Sequence, residues 1–344
     1  MKILSRYAES LFWLARYLER SASLARVIEM QSSFGGQDEE TGWAWLLTLH
    51  ADHDRFKKRY DYSTSNVISF YLLDAENAGS IRSSLHMARE NARSLRPYIP
   101  LEMWVQLNAF HASTLELGLR DIEPAQLPRT CSAIRAGCLA QVGTAEGTLF
   151  RDEGYVFFKL GQLIERADQT SRLLDVKSAQ NDSSGAVRLV SDEFVFATTI
   201  LRTASAYQAF RRLEPGNPEA GRVARFLILN PSHPRSIGFC AREIERCLHD
   251  LRSGFRLPKA SAALEACEIL MDGLQAAGAD RKLESRLHEF NDWVQRTLVT
   301  LSAKIDQAFF RTTPPSPLSA ETADAPTGSH PGATPAGGQS QTQS

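Results

Sequence analysis

The chain has 344 residues, 43% of them hydrophobic, and its 39 Lys and Arg against 40 Asp and Glu leave a formal net charge of -1. That length allows one large core or two smaller ones. A charge so close to neutral gives no broad attraction to phosphate backbones or anionic membranes, so neither nucleic acid nor a membrane is expected as a partner. The five cysteines include no Cys-x-x-Cys pair, the charged opening does not resemble a secretory leader, and no apolar run is long enough to cross a bilayer. Reduced core thiols and a cytoplasmic location are the expectation.

Taken in chain order, the signals are helical. Leu4, Leu11, Leu14, Leu18, Ala22 and Ala25 recur at three- and four-residue spacing, and similar stripes run through 78–95, 100–119, 153–177, 192–212, 235–252, 259–277 and 281–309. Pro97, Pro100, Pro124, Pro128, Pro215, Pro218, Pro231, Pro234 and Pro258 fall where helices start or stop, and Ser183-Ser184-Gly185 marks a further loop. From Thr312 to Ser344 there is no Lys or Arg, and six of the fifteen prolines gather there among Gly, Ser, Thr and Ala. Such a composition has too little apolar surface to offset ordering entropy, which predicts a disordered tail.

The chain also resembles itself. At an offset of 146, Leu14 to Arg20 lies on Leu160 to Arg166, with Phe12 on Phe158, Arg26 on Arg172 and Glu29 on Asp175. At 154, Leu46, Leu47, Phe56, Lys57 and Lys58 lie on Ile200, Leu201, Phe210, Arg211 and Arg212. At 156, Val67, Phe70, Leu73, Asp74, Ser80 and Ile81 lie on Val223, Phe226, Leu229, Asn230, Ser236 and Ile237. The offsets grow in order, as loop insertions would make them. The expected fold is therefore an all-α helical bundle of two divergent copies of one multi-helix unit, 1–149 and 150–311, packed as one domain, followed by a disordered C-terminal tail at 312–344.

In the first helix of each copy, Phe12, Ala15, Glu19, Arg26 and Glu29, and their counterparts Phe158, Gly161, Glu165, Arg172 and Asp175, share one helix face. A small residue one turn before each Glu lets another helix or a ligand approach. The structural reading, that Glu19 and Glu165 pair with arginines across the internal interface, is preferred to a ligand site. A carboxylate-bridged metal bundle needs Glu-x-x-His partners, which neither Glu has. The cluster His50-Ala51-Asp52-His53-Asp54 reads as a solvated face, and no metal or cofactor is expected. Cys131/Cys138 and Cys240/Cys247, each seven apart, read as buried side chains on shared helix faces. Between Arg202 and Arg256 stand ten Arg, no Lys and five acids, a bias that suits two-pronged recognition of carboxylate or phosphate. No nucleophile elbow, phosphate loop or dinucleotide turn is present in the sequence.

Several stretches together resemble the bacterial alpha-E domain family: Ser5 to Arg20, Leu149-Phe150-Arg151-Asp152-Glu153-Gly154, Leu160 to Val176, Ala88 to Arg93 with Glu102-Met103-Trp104, and Tyr207 to Arg212. Ser21-Ala22-Ser23 departs from the pattern, and any role for an acid at position 22 is lost. The resemblance implies an accessory of circularly permuted ATP-grasp amide ligases, with genes often beside a transglutaminase-like peptidase or a proteasome-like hydrolase, and hence peptide synthesis or tagging. The expected function is a partner that binds the ligase, an acidic peptide substrate, or both. Candidate binding residues are Arg20, Arg26, Arg89, Glu90, Arg93, Glu153, Arg166, Arg172, Arg202, Tyr207 and Arg211, with Arg212, Arg242 and Arg246 extending the Arg-rich faces. The alternative is an enzyme with Glu165 or Glu19 as general base and Asp168 in support. That reading requires burial to raise a carboxyl pKa, and needs Arg166 or Arg172 to hold an anionic substrate.

Overall fold

Twenty-nine residues without Gly or Pro, carrying an apolar side chain every three or four positions, form the first helix, α1 (Ser5–Ser33). The computed structural model describes residues 3–33, 43–182 and 193–311. The predicted tail and the Ser183-Ser184-Gly185 loop lie outside the described residues. Short helices α2 (Ala44–Leu49) and α3 (His53–Lys57) follow, then α4 (Thr64–Leu72), α5 (Ile81–Ser94), α6 (Leu101–Leu115) and α7 (Leu127–Thr148). A second long helix, α8 (Glu153–Asp182), precedes α9 (Glu193–Thr203), α10 (Tyr207–Leu213), α11 (Ala220–Leu229), α12 (Ile237–His249), α13 (Ser261–Ala279) and α14 (Leu287–Ile305). No strand occurs among the described residues, and no described helix is long and apolar enough to cross a membrane.

Helices α1 and α8 pack along each other at the centre of the unit spanning residues 1–310. Helices α5 and α7 cover α1, while α12 and α14 cover α8. Phe12, Leu14, Leu18, Phe157, Phe158, Leu160 and Ile164 are buried in and around this axis. At Gly161 the two backbones nearly touch: a Cβ there would stand 2.1 Å from the Phe12 carbonyl oxygen. A side chain at 161 would force the helices apart, so glycine is required for the approach. Beyond α14 a π-helical turn, Asp306–Phe310, carries Phe310 onto Phe12 and Phe157, with ring centroids 5.4 and 5.7 Å away.

The connections cross over. Helix α2, which follows α1, lies against α8, and α9, which follows α8, lies against α1. Each ends in a non-glycine residue in the left-handed region, Ala51 (φ 53°) and Ser205 (φ 54°). After each, a backbone N–H reaches back to a carbonyl, Asp52 to Leu47 at 2.8 Å and Ala206 to Leu201 at 2.7 Å. The stripe read through 192–212 is thus two helices, α9 and α10, broken at a serine that sends no Gly or Pro signal. Helices α5 and α12 start alike: Ser80 Oγ accepts from the Ser83 amide and Ser236 Oγ from the Phe239 amide, both at 3.0 Å.

Candidate functional site

The α1–α8 seam brings the two predicted glutamates together with four guanidinium groups. Glu19 accepts from Arg166 at 2.8 Å and from Arg235 at 2.9 Å, one arginine on each oxygen. Glu165 accepts from Arg20 at 2.7 and 3.1 Å and from Arg16 at 2.8 Å, with a further bond from the Gln169 amide at 3.2 Å. The exchange is reciprocal, because the Arg that follows each Glu in sequence binds the other Glu. Both carboxylates are all but sealed, at 3% and 1% exposure.

Burial alone would push both carboxyls up. The guanidiniums outweigh it: Arg166 and Arg235 hold Glu19, and Arg20 and Arg16 hold Glu165, at about 2. That is opposite to the direction a general base at neutral pH requires. Arg20 and Arg166 are correspondingly shifted up by their carboxylate partners.

The residues supporting the pairs come from several elements. Arg16, one turn before Arg20, lies over the Trp13 ring at 5.0 Å and also donates to Ser302 on α14. Arg235 stands in the loop before α12, and its carbonyl accepts from Thr170 on α8 at 2.9 Å. Sequence reasoning missed both. Arg16 was findable, being four residues before Arg20 on the same helix face. Arg235 has no local signal, because its role depends on a contact 216 residues away.

Asp168 is spent within its own helix, on Arg172 four residues on at 2.9 Å. Arg172 also donates to the Leu49 carbonyl, tying α8 to the end of α2. Arg26, seven residues after Glu19 as Arg172 is after Glu165, has no carboxylate partner among the described residues although it is 9% exposed; its Nη1 reaches only Ser205 Oγ at 3.5 Å, and its Nε has no partner. It borders a cavity of about 520 Å³ between α1, α7 and α9, which Arg135 and Arg202 also line.

A smaller cavity of about 200 Å³ adjoins Glu165, bounded by Arg20, His50, Arg55, Gly79 and Arg172. The cluster His50-Ala51-Asp52-His53-Asp54, read as a solvated face, is corrected at this point. The left-handed Ala51 breaks the helix between His50 and His53, and Asp52 turns inward to the Tyr71 hydroxyl at 3.2 Å. His50 packs on the Tyr71 ring, its Nε2 has no partner, and burial, then Arg172 and Arg20, lower its pKa to about 3.

The other candidates stand apart from the seam. Arg89 and Arg93 both bind Glu90 at 2.7 Å on α5, and Arg89 lies over the Trp104 ring at 5.5 Å. Glu153 opens α8, where Asp152 accepts from the Gly154 and Tyr155 amides, so this motif starts a helix. Tyr207 has both Arg202 and Arg211 over its ring, at 5.4 and 5.9 Å from the centroid. Arg212 and Arg242 are exposed, and Arg246 pairs with Glu243. All five cysteines are free and buried. One grouping the sequence did not suggest is Asp175, His288 and Asp292, whose ligand atoms lie within 4.8 Å of one another. His288 and Asp175 are in contact at 2.8 Å.

Two long helices locked by reciprocal Glu–Arg pairs inside an all-helical unit define a class of helical domain built around a charged seam. The chain belongs to the Alpha-E family, described as a predicted alpha-helical domain with a conserved ER motif, whose model matches residues 3–310. It is similar to an uncharacterized protein of Mycobacterium bovis and to an uncharacterized protein of Mycobacterium tuberculosis, each 23% identical over 312 residues. The match takes in 80% of this chain and 34% of each relative, so the chain spans about a third of the length of the curated relatives it matches. No solved structure matches it.

Proposed function

We propose that this protein is a non-catalytic partner of a circularly permuted ATP-grasp amide ligase, binding the ligase, an acidic peptide substrate, or both, in the cytoplasm. The observation that carries the reading is the state of the two seam glutamates. Each has both oxygens occupied by arginine and a carboxyl held at about 2. A residue so placed fixes how helices dock, and a carboxyl held that low has little affinity for a substrate proton at neutral pH. The ligase itself enters through the family resemblance. In the mycobacterial relatives about two thirds of the chain lies outside the matched region, which suits a module that works beside another.

In this reading α1 and α8 head two divergent copies, 1–149 and 150–311, and the Glu-Arg dipeptides of the seam are the family's ER motif. The matching left-handed turns at Ala51 and Ser205 and the matching serine caps at Ser80 and Ser236 support it. The exposed arginines of α9 and α10, Arg202, Arg211 and Arg212, and Arg242 on α12 provide the cationic surface for an acidic partner.

The test is co-purification with a circularly permuted ATP-grasp protein of the same source, followed by ATP turnover of the ligase with acidic peptide, with and without this chain. Complex formation at micromolar concentration and turnover that depends on this chain are expected. No complex and unchanged turnover would remove the partner reading. The enzyme alternative would gain if Glu165→Gln kept its fold and its ligase binding but abolished product formation.

A further inference from the structure

Each seam helix carries an arginine seven residues after its glutamate, and the two have opposite fates. On α8, Arg172 is neutralised by Asp168, four residues before it. On α1, the corresponding position before Arg26 is Ala22, which is buried and has no charge to give. Among the described residues Arg26 therefore enters the protein interior without a carboxylate, held only by a long contact to Ser205. Leaving a guanidinium in that state is costly unless something outside the chain supplies the anion.

The space for that anion is present. Among the described residues, the cavity of about 520 Å³ beside Arg26 is lined by three guanidiniums, of Arg26, Arg135 and Arg202, against one carboxylate, Glu29, which binds Arg135. Thr198 Oγ1, on the α9 wall, is buried without a hydrogen-bond partner. Phe194 adds an apolar surface at the same wall. Burial, and secondly Arg235, depress the Arg26 pKa while Glu19 opposes them, so the folded protein holds this cation against its own preference.

We propose that the cleft between α1, α7 and α9 is a carboxylate-binding subsite for a Glu-type side chain of an acidic peptide, with Arg26 as the buried anchor, Arg202 at the mouth and Thr198 as a hydroxyl donor. It deepens, and rests on, the peptide-binding part of the proposed function. A planar guanidinium takes a carboxylate in two parallel hydrogen bonds, the apolar wall suits the methylenes that carry it, and the volume accepts a fragment of about dipeptide size.

Calorimetry and thermal melts of the full chain with tri-glutamate, tri-glutamine and inorganic phosphate test the assignment, using wild type, Arg26→Met and Ala22→Glu. Tri-glutamate should bind wild type and raise its melting midpoint, and tri-glutamine should bind at least about ten-fold more weakly. Arg26→Met should lose a similar factor with an unchanged or higher midpoint of its own, because a buried lone cation has gone. Ala22→Glu should also lose binding, by giving Arg26 an internal partner. Equal binding of the two peptides, binding untouched by Arg26→Met, tighter binding of phosphate than of tri-glutamate, or an Arg26→Met protein that fails to fold would each overturn the subsite. Ligase co-purification, measured on the same proteins, separates the two readings: its loss with tri-glutamate binding intact would strike the partner role and leave the subsite standing.

Discussion

The two ends of the seam solve one problem with different degrees of closure. Glu19 is enclosed by Arg166 and Arg235, which are 14% and 12% exposed, and the second comes from the α11–α12 loop to shut the site. Glu165 is enclosed by Arg16 and Arg20 from a single helix, the latter 26% exposed, and the residue just before the Ser80 cap of α5, where Arg235 stands before the Ser236 cap of α12, is Gly79. Where one end has a third element pressed in, the other has a cavity of about 200 Å³. Both carboxylates are sealed, yet the cover over their arginines differs, and the residue that completes it comes from elsewhere in the chain.

The largest effect should come from the contact on which both ends depend. Gly161→Val places a branched side chain where even a Cβ meets the Phe12 carbonyl. Relaxing that overlap requires α1 and α8 to part and both Glu–Arg exchanges to stretch, at a cost of about 3 kcal/mol or more. Soluble expression and circular dichroism would show it; a protein as stable as wild type would mean that the seam is not close-packed.

Removing the carboxylates one at a time compares the ends directly. Glu19→Ala leaves Arg166 and Arg235 unmatched in a closed site, and should cost about 3–5 kcal/mol in denaturant unfolding. Glu165→Ala leaves Arg16 and Arg20 beside a cavity that water can enter, so its cost should fall at or below the lower end of that range. A reversed order would show that the cavity does not relieve the loss.

Much of this arrangement was legible in the sequence. The helical periodicity, the place of Glu19 and Glu165 on interior helix faces, and the small residue before each glutamate all follow from local spacing, which a helix converts directly into a shared face. Helix breaks without Gly or Pro were not legible: Ala51 and Ser205 are ordinary residues held at positive φ by the packing around them. The inward turn of His50 and Asp52 was hidden for the same reason. Arg235 and the lone state of Arg26 depend on which elements meet, and no count of neighbouring residues contains that.

Acid should act on the two ends in sequence. His50 lies only at the Glu165 end, and its folded pKa of about 3 is below the ordinary histidine value of about 6.5. The unfolded chain therefore binds a proton that the folded protein refuses, and stability present above about pH 6.5 falls as pH drops below it, by at most about 1.4 kcal/mol per pH unit. The seam carboxyls, folded at about 2, add a second loss as pH falls below the usual carboxylate range toward that value. Urea unfolding from pH 8 to pH 3 should show both stages, and His50→Asn should shrink the first, to which His111 and His233, also lowered by burial, contribute. A single onset near pH 4.5 in wild type would mean that His50 titrates freely.

The smallest effect tests the asymmetry itself. Gly79→Arg puts at the Glu165 end the residue type that closes the Glu19 end, but with a tight contact, since a Cβ there meets buried Asn77 Oδ1 at 3.3 Å, which must shift by a few tenths of an ångström. The new guanidinium stands just before the Ser80 cap, at the positive end of α5, a placement that costs about 0.3–1 kcal/mol. Arg235 occupies the same setting before Ser236, but there Glu19 has an oxygen for it. At the other end both Glu165 oxygens already have arginine partners, and Arg55 and Arg172 add like charge. A small destabilisation, within about 1 kcal/mol, is therefore expected, together with a further downward displacement of the His50 titration read by imidazole NMR. Stabilisation instead would show that Glu165 still has attraction to spare, and that the open end is an unfinished lock rather than a satisfied one.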